Sequence, residues 1–242
     1  MTKIEPRDET PPPDEARPTG AFDSTAEQAY VRAQYRTESN LATRIDIHRR
    51  YGEPAVEFTE WVLDKLHWQG TEWVLDVGCG AGSYIAPVQA RAARYVAGDL
   101  SPGMLRSLPP AARLRVNLNA QHLPLADATF DVVLAAHMLY HVPGQAAAVA
   151  AFRRVLRSEG RLLVTTNSED SMSELKALER EVAVRLGLPA PAHASLSFTL
   201  ESGGSLLRRF FEHVERYDLP GALVFPDPQP VIDYLASSRQ RY

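Results

Sequence analysis

Val74-Leu75-Asp76-Val77-Gly78-Cys79-Gly80-Ala81-Gly82-Ser83-Tyr84-Ile85 is the stretch from which the fold can be read. An apolar run with one acid near its end stops at three glycines spaced G-x-G-x-G, and a segment of helical character follows. That order describes a strand, a tight turn and a helix N-terminus, with glycine wherever a ligand must come close to the backbone. The dinucleotide fingerprint G-x-G-x-x-G needs its third glycine one position later, to pack helix on strand. Here the third glycine is Gly82 and position 83 is serine, so the spacing stands against a dinucleotide site.

Upstream of this stretch, Val56, Trp61, Val62, Leu63 and Leu66 recur at helical spacing over residues 54–68, and Gly70 ends that helix. A strand over residues 72–77 then feeds the glycine turn. Downstream, a helix over 83–93 leads to a second strand, Tyr95-Val96-Ala97-Gly98, closing on Asp99. An acid at that strand end is placed to accept hydrogen bonds from two ribose hydroxyls, and an ionised acceptor makes such bonds strong. Leu100 and Met104, opening the next helix, can flank an adenine. Further strands fall at 114–118, 126–134 and 162–166, with a helix over 145–156 between the last two. Alternating strands and helices predict an α/β fold with a doubly wound sheet. Residues 167–207 exceed a simple connection and hold an acidic-basic helix (171–186) and a proline-bearing loop (187–197). Residues 210–217 and 221–225 read as closing antiparallel strands and 228–238 as a final helix.

The bulk composition sets bounds. A chain of 242 residues with 45% hydrophobic content can bury one full core. Residues 1–22 carry Pro6, Pro11, Pro12, Pro13 and Pro18 among mixed charges and read as a disordered tail, leaving 23–242 as the domain. A formal charge of -4 gives no general attraction to polyanions. No apolar run approaches membrane-spanning length and the N-terminus lacks a signal-peptide core, so cytoplasm is the expected compartment and no membrane partner is expected. The single cysteine, Cys79, excludes an internal disulfide or a cysteine-based metal cluster. Residues 26–51 admit two readings: a helical pair capping the domain edge, or a lid with Tyr35 and Arg44 facing a ligand.

Four signals stand in one order and spacing. They are the glycine turn with Asp76 ahead of it, Asp99 at the second strand end, Asn119-Ala120-Gln121-His122-Leu123-Pro124-Leu125 running into Phe130-Asp131, and Arg154-Val155-Leu156-Arg157-Ser158-Glu159-Gly160. Together they resemble the class I S-adenosylmethionine (SAM) methyltransferases, particularly the UbiE-like, type 11 branch. His137-Met138-Leu139-Tyr140-His141-Val142, Thr165-Thr166-Asn167, Phe198-Thr199-Leu200-Glu201-Ser202-Gly203 and the ending Val231-Ile232-Asp233-Tyr234 are similar to a narrower bacterial subgroup. The resemblance covers residues 26–242. It implies a Rossmann-like, doubly wound, seven-stranded α/β sheet with an N-terminal helical lid (23–70) and a SAM-binding core (71–166). It further implies a substrate-cavity insertion after strand five (167–207) and closing strands and helix (208–242).

SAM, leaving as S-adenosylhomocysteine, is the implied cofactor. Asp76, Gly78, Cys79, Gly80 and Gly82 would shape the methionine pocket and Asp99 would hold the ribose. Asn119, Ala120 and Gln121 would meet the adenine beside Leu100 and Met104; Ala136, Tyr35 and Arg44 complete the implied contacts. Relatives carry Asp where Asn119 stands; Asn still accepts a bond through its amide oxygen, without the charge. A second departure is Ser171, where relatives often have His before the Met.

Methyl transfer from a sulfonium is an in-line displacement that needs alignment and, for a weakly acidic nucleophile, a base. His137 follows the fourth strand at the carboxyl edge of the sheet and is the candidate base. His141, four residues on, is a weaker candidate and also reads as a hydrogen-bonded structural histidine. The HxxxH spacing lacks the Glu of H-E-x-x-H, so no metal is expected. Tyr140, Asn167 and Glu201 are expected to line the substrate cavity. The expected activity is methylation of a small molecule at oxygen, nitrogen or an activated carbon. Against a nucleic-acid substrate stand the acidic balance and Ala136-His137-Met138-Leu139, where exocyclic-amine methylases show an (N/D)-P-P-aromatic turn. A SAM-binding protein without methyl transfer stays open, because cofactor motifs survive loss of transfer.

Overall fold

A computed structural model describes residues 39–189 and 196–238. The proline-bearing tail and Tyr35 lie outside the described residues. In chain order the elements are α1 (Ser39–Tyr51), β1 (Gly52–Glu53), α2 (Phe58–Leu63), β2 (Trp73–Val77), α3 (Ile85–Gln89), β3 (Arg94–Asp99), α4 (Pro102–Ser107), β4 (Leu114–Asn117) and β5 (Phe130–Ala136). A single 3-10 turn (Leu139–His141) precedes α5 (Gln145–Val155), β6 (Leu156–Thr165), α6 (Ser173–Arg185), α7 (Leu200–Leu207), β7 (Ala222–Leu223) and α8 (Gln229–Ser238).

The main sheet is parallel, in the order β4-β3-β2-β5-β6. Strand β2 is buried on both faces, as a central parallel strand must be. Leu75 and Val77 join Val133, Ala135 and Phe152 in the core under α5. Val74 joins Val132, Leu134, Leu63, Ile85 and Val88 in the core under α2 and α3. The period-2 split of one short strand between two helical layers is what makes the fold doubly wound. The order reverses between β2 and β5, so the crevice outside their carboxyl ends is the topological switch point.

Two of the sequence signals prove to be structural staples. The Asp131 carboxylate accepts the Trp73 backbone N–H at 2.8 Å and the Arg157 guanidinium at 2.5 Å, tying β2 to the start of β6. Arg154 donates to the Leu123 and Leu125 carbonyls at 2.7 and 2.8 Å and pairs with Asp127, fixing the loop ahead of β5. The turn expected over 157–161 is a bulge inside β6: Phe130 pairs with Leu156, and Val132 with Arg161.

Seven strands are not seen; the main sheet has five among the described residues. Residues 210–217 run without strand pairing. Phe211 is buried, and Phe210 and Val214 pack against the same core, so side chains rather than a backbone ladder hold the segment. Arg216 donates to the Asp218 carboxylate and to the Leu200 carbonyl, and the Tyr217 hydroxyl to Glu215, which draws the chain into local side-chain bonds. Residues 222–223 do pair antiparallel, but with β1 as a separate ribbon. That ribbon carries the chain end back over α1: the Val224 N–H donates to the Tyr51 carbonyl at 2.8 Å, and the Tyr51 and Phe225 rings lie 5.2 Å apart. The helix expected over 54–68 is confined to α2, and Val56, counted there as apolar periodicity, is exposed. The helix expected over 83–93 is likewise shortened to α3.

Candidate active site

The carboxyl ends of β2, β3 and β5 open into a cavity of about 1770 Å³. Its floor is the glycine turn. Gly78 has φ of +75°, and a Cβ there would lie 2.8 Å from the Met138 Cβ, so only glycine fits between turn and loop. Gly82 does not line the cavity. Its φ of +81° and a virtual Cβ 2.4 Å from Ile85 Cδ1 give it a packing role under the turn instead. Cys79 is buried, and its thiol is raised by burial and then by the Asp76 and Asp99 carboxylates, which keeps it protonated and unreactive.

Asp76 is 1% exposed. Its Oδ2 accepts the Tyr95 hydroxyl at 2.5 Å, while Oδ1 is buried without a hydrogen-bond partner. Burial pushes its carboxyl up to about 7; the Tyr95 bond opposes this and the Asp99 charge adds to it. The Tyr84 hydroxyl, on the same cavity, is also buried and unpartnered. Two orphaned polar atoms beneath a glycine turn describe a place prepared for a polar, preferably cationic, ligand group.

The Asp99 carboxylate is fixed by backbone: Oδ1 accepts from Ser101 N at 2.7 Å and Oδ2 from Gly80 N at 3.0 Å. Burial raises its pKa against those bonds. A carboxylate can accept about four hydrogen bonds, so Asp99, which lines the cavity, has capacity left for a ligand hydroxyl. Leu100, Met104, Ala120, Gln121 and Ala136 also line it. Asn119 lines the cavity too, but its Oδ1 accepts the Gln121 N–H at 3.0 Å in an Asx turn, so a ligand amine would share that oxygen.

His137 sits immediately beyond β5 with φ of +51°, a left-handed conformation uncommon for histidine. Its backbone N–H donates to the Thr165 carbonyl at 3.0 Å and the Thr165 hydroxyl at 3.1 Å, anchoring the turn to β6. Its imidazole lies 5.5 Å from the Phe58 ring and 6.4 Å from the Tyr140 ring. Burial lowers it to about 4, and His48 adds to the shift. The ring is therefore neutral at pH 7. His141 stacks edge-on against Tyr140 at 4.5 Å. Asn167 lines the cavity and accepts the Leu200 N–H through its carbonyl at 3.1 Å. Glu201 lines it as well, but its carboxylate accepts from the Ser168 hydroxyl at 2.9 Å and from Glu169 N at 3.0 Å, which lowers its pKa and spends it on shaping the rim.

Comparison with known proteins fits this geometry. The family model described as a methyltransferase domain matches residues 75–164. The match spans the sheet from β2 to β6. A ubiquinone biosynthesis O-methyltransferase of Xylella fastidiosa is 34% identical over 133 residues, covering 52% of this chain and 54% of that protein. A demethylmenaquinone methyltransferase of Thermobifida fusca is 35% identical over 127 residues, covering 49% and 52%. The chain thus spans about half the length of these relatives. A solved SAM-dependent methyltransferase from Thermotoga maritima superposes with a TM-score of 0.55 at 17% identity, over 74% of this chain and 79% of that one, which shows the shared fold.

The fold brings Asp76, Gly78, Gly80, Asp99 and Asn119 to one floor, with His137 at its side. Arg44 on α1 lines the same cavity. Four contributors were missed from the sequence: Tyr95, Tyr84, Phe58 and His48. Tyr95 had a readable signal, because parallel pairing of β2 with β3 puts it on the same sheet face as Asp76. His48 follows Arg44 by one helical turn, a spacing visible in the sequence. Phe58 had none. Among the described residues no cluster of potential metal ligands occurs and no helix is long and apolar enough to cross a membrane.

Proposed function

We propose that the protein transfers a methyl group from SAM to a small-molecule acceptor at oxygen, nitrogen or an activated carbon. The observation that carries this reading is the continuous floor on which an orphaned buried carboxylate oxygen, a glycine turn and a backbone-held carboxylate meet beside a neutral histidine. Bound SAM supplies an electrophilic methyl group on a sulfonium. Asp76 and Tyr84 would satisfy its amino-acid end, Asp99 its ribose, and Asn119 with Met104 and Leu100 its adenine. A single ligand pocket is typically about 300–1,000 Å³, so this cavity has room for a second molecule beside the first.

The chain's residues then have separate tasks. Phe58 and Tyr140 flank the His137 ring and limit its access to water. His137, neutral at pH 7, accepts the proton that an acceptor group sheds as its bond to carbon forms. A base held near 4 is weak, which suits a nucleophile already acidic or already deprotonated better than an alcohol. Segment α1, tied to the chain end by the β1–β7 ribbon, is read as the lid over both ligands, and residues 167–207 as one wall of the acceptor site.

Calorimetric titration with SAM and with S-adenosylhomocysteine tests the reading. Both are expected to bind with micromolar affinity, on the order of 8 kcal/mol. Absence of binding by either would overturn it.

A further inference from the structure

The acceptor side of the cavity has a chemistry of its own. Trp61, Phe58, His137, Tyr140 and His141 form a continuous run of rings, with successive centroids 6.1, 5.5, 6.4 and 4.5 Å apart. Such spacings are those of mutually packed aromatic rings. Successive rings are tilted from one another by 19°, 38°, 57° and 65°, and the run gives a continuous, weakly polar wall of ring faces and edges beside the reacting edge of the sheet. Across from it, α1 presents Arg44 and His48, one helical turn apart, and both line the cavity.

Neither the His48 nor the His137 imidazole is hydrogen-bonded to any of the described residues; their side-chain neighbours are rings, Tyr234 at 6.0 Å for His48 and Phe58 and Tyr140 for His137. Burial is the first cause of the lowered basicity of both, and among the described residues His48 adds to it at His137 and Arg44 at His48. Glu53 and Glu57 line the same mouth, but they are exposed and do not act on either imidazole. A wall of rings facing an Arg–His pair is complementary to a flat molecule with an anionic end. An arginine fork matches a carboxylate in particular.

We infer that the methyl acceptor is a planar carboxylic acid, its carboxylate bound by Arg44 and His48 and its flat body lying along Phe58, His137 and Tyr140. This rests on the SAM-dependent reading above. The bound carboxylate sets a negative charge beside the two imidazoles, which favours their protonated forms and opposes the effect of burial. His137 thereby becomes a stronger base only when an acceptor is present.

The test uses the full chain saturated with S-adenosylhomocysteine, whose own binding is measured first. Imidazole titrations of His48 and His137 are followed by NMR with benzoate, benzamide or inorganic phosphate as the probe. Benzoate is expected to raise both imidazoles by about one pH unit, a tenfold change in proton affinity. Benzamide, the neutral isostere, is expected to raise neither. Arg44→Gln is expected to weaken benzoate binding about tenfold, with H48N as the second variant should R44Q fail to fold. Benzoate without effect on a protein that binds S-adenosylhomocysteine overturns the planar acid and leaves the cofactor site standing. Phosphate acting as well as benzoate overturns the carboxylate and the role of the ring wall. Failure to bind S-adenosylhomocysteine overturns the cofactor reading beneath both.

Discussion

Replacing Asp76 by Asn separates the cost of the buried carboxylate from its use. In the folded chain this group titrates near 7, against an ordinary value of 3.8. At about 1.4 kcal/mol per pH unit, ionising it costs the native state about 4 kcal/mol at pH 8, an upper figure. Because the folded value lies above the unfolded one, the native state binds the proton more tightly between pH 4 and 7. Stability therefore falls as pH rises through that window and levels off above it. In Asp76→Asn the amide oxygen can still accept the Tyr95 hydroxyl. The amide nitrogen takes the place of the unpartnered Oδ1 and leaves a buried donor unsatisfied, which costs about 1–3 kcal/mol. The variant should thus gain about 1–3 kcal/mol at pH 8, a melting temperature higher by roughly 5 °C. At pH 5 the native Asp76 is protonated and the advantage disappears or reverses. Scanning calorimetry of both proteins from pH 5 to pH 8.5 measures this. SAM affinity should fall about tenfold in the same variant, because the charge that meets the ligand is gone. A melting-temperature gap that stays constant across the pH range would refute the reasoning, since Asp76 would then not titrate there.

Other perturbations address separate parts of the site. Asp99→Ala should weaken SAM binding by more than tenfold, roughly 1.4 kcal/mol or more, read by the same calorimetric titration; unchanged affinity would remove Asp99 from the ribose site. His137→Asn keeps a side chain that tolerates the left-handed backbone, so S-adenosylhomocysteine binding should hold while methyl transfer to an identified acceptor drops about 10²–10⁴-fold. Equal rates would mean that His137 only shapes the cavity. Gly78→Ala meets both a positive φ and the Met138 Cβ at 2.8 Å, and should lower stability by about 2 kcal/mol, visible as a melting temperature lower by roughly 4–8 °C. An unchanged melting curve would show that the Met138 loop yields.

The geometry of the cavity floor was legible because it follows from short-range rules. A strand that ends on glycines at G-x-G-x-G spacing, with acids at Asp76 and Asp99, leaves few ways to arrange turn and carboxylate, and the structure holds Asp99 on the Gly80 and Ser101 amides. The same rules misplaced Gly82, because a glycine needed for packing and one needed for a ligand look alike in sequence. Glu201 lines the cavity, and its spacing gave no sign that the Ser168 hydroxyl and the Glu169 N–H would hold its carboxylate at the rim. The tail was misread for a related reason. The apolar residues Phe210, Phe211 and Val214 were read as part of a strand, yet strand pairing depends on a neighbouring edge and not on apolar content.

The sequence by itself determined the element alternation, the doubly wound core and the acids and glycines that line the cavity floor, because each depends on residues within one or two elements. Only the tertiary structure decided which oxygen of Asp76 goes without a partner, that His137 lies between Phe58 and Tyr140, and that Arg44 and His48 face it from a helix ninety residues away. Those features are long-range. Burial, field and ring contact arise from packing between distant segments, and no local spacing encodes them.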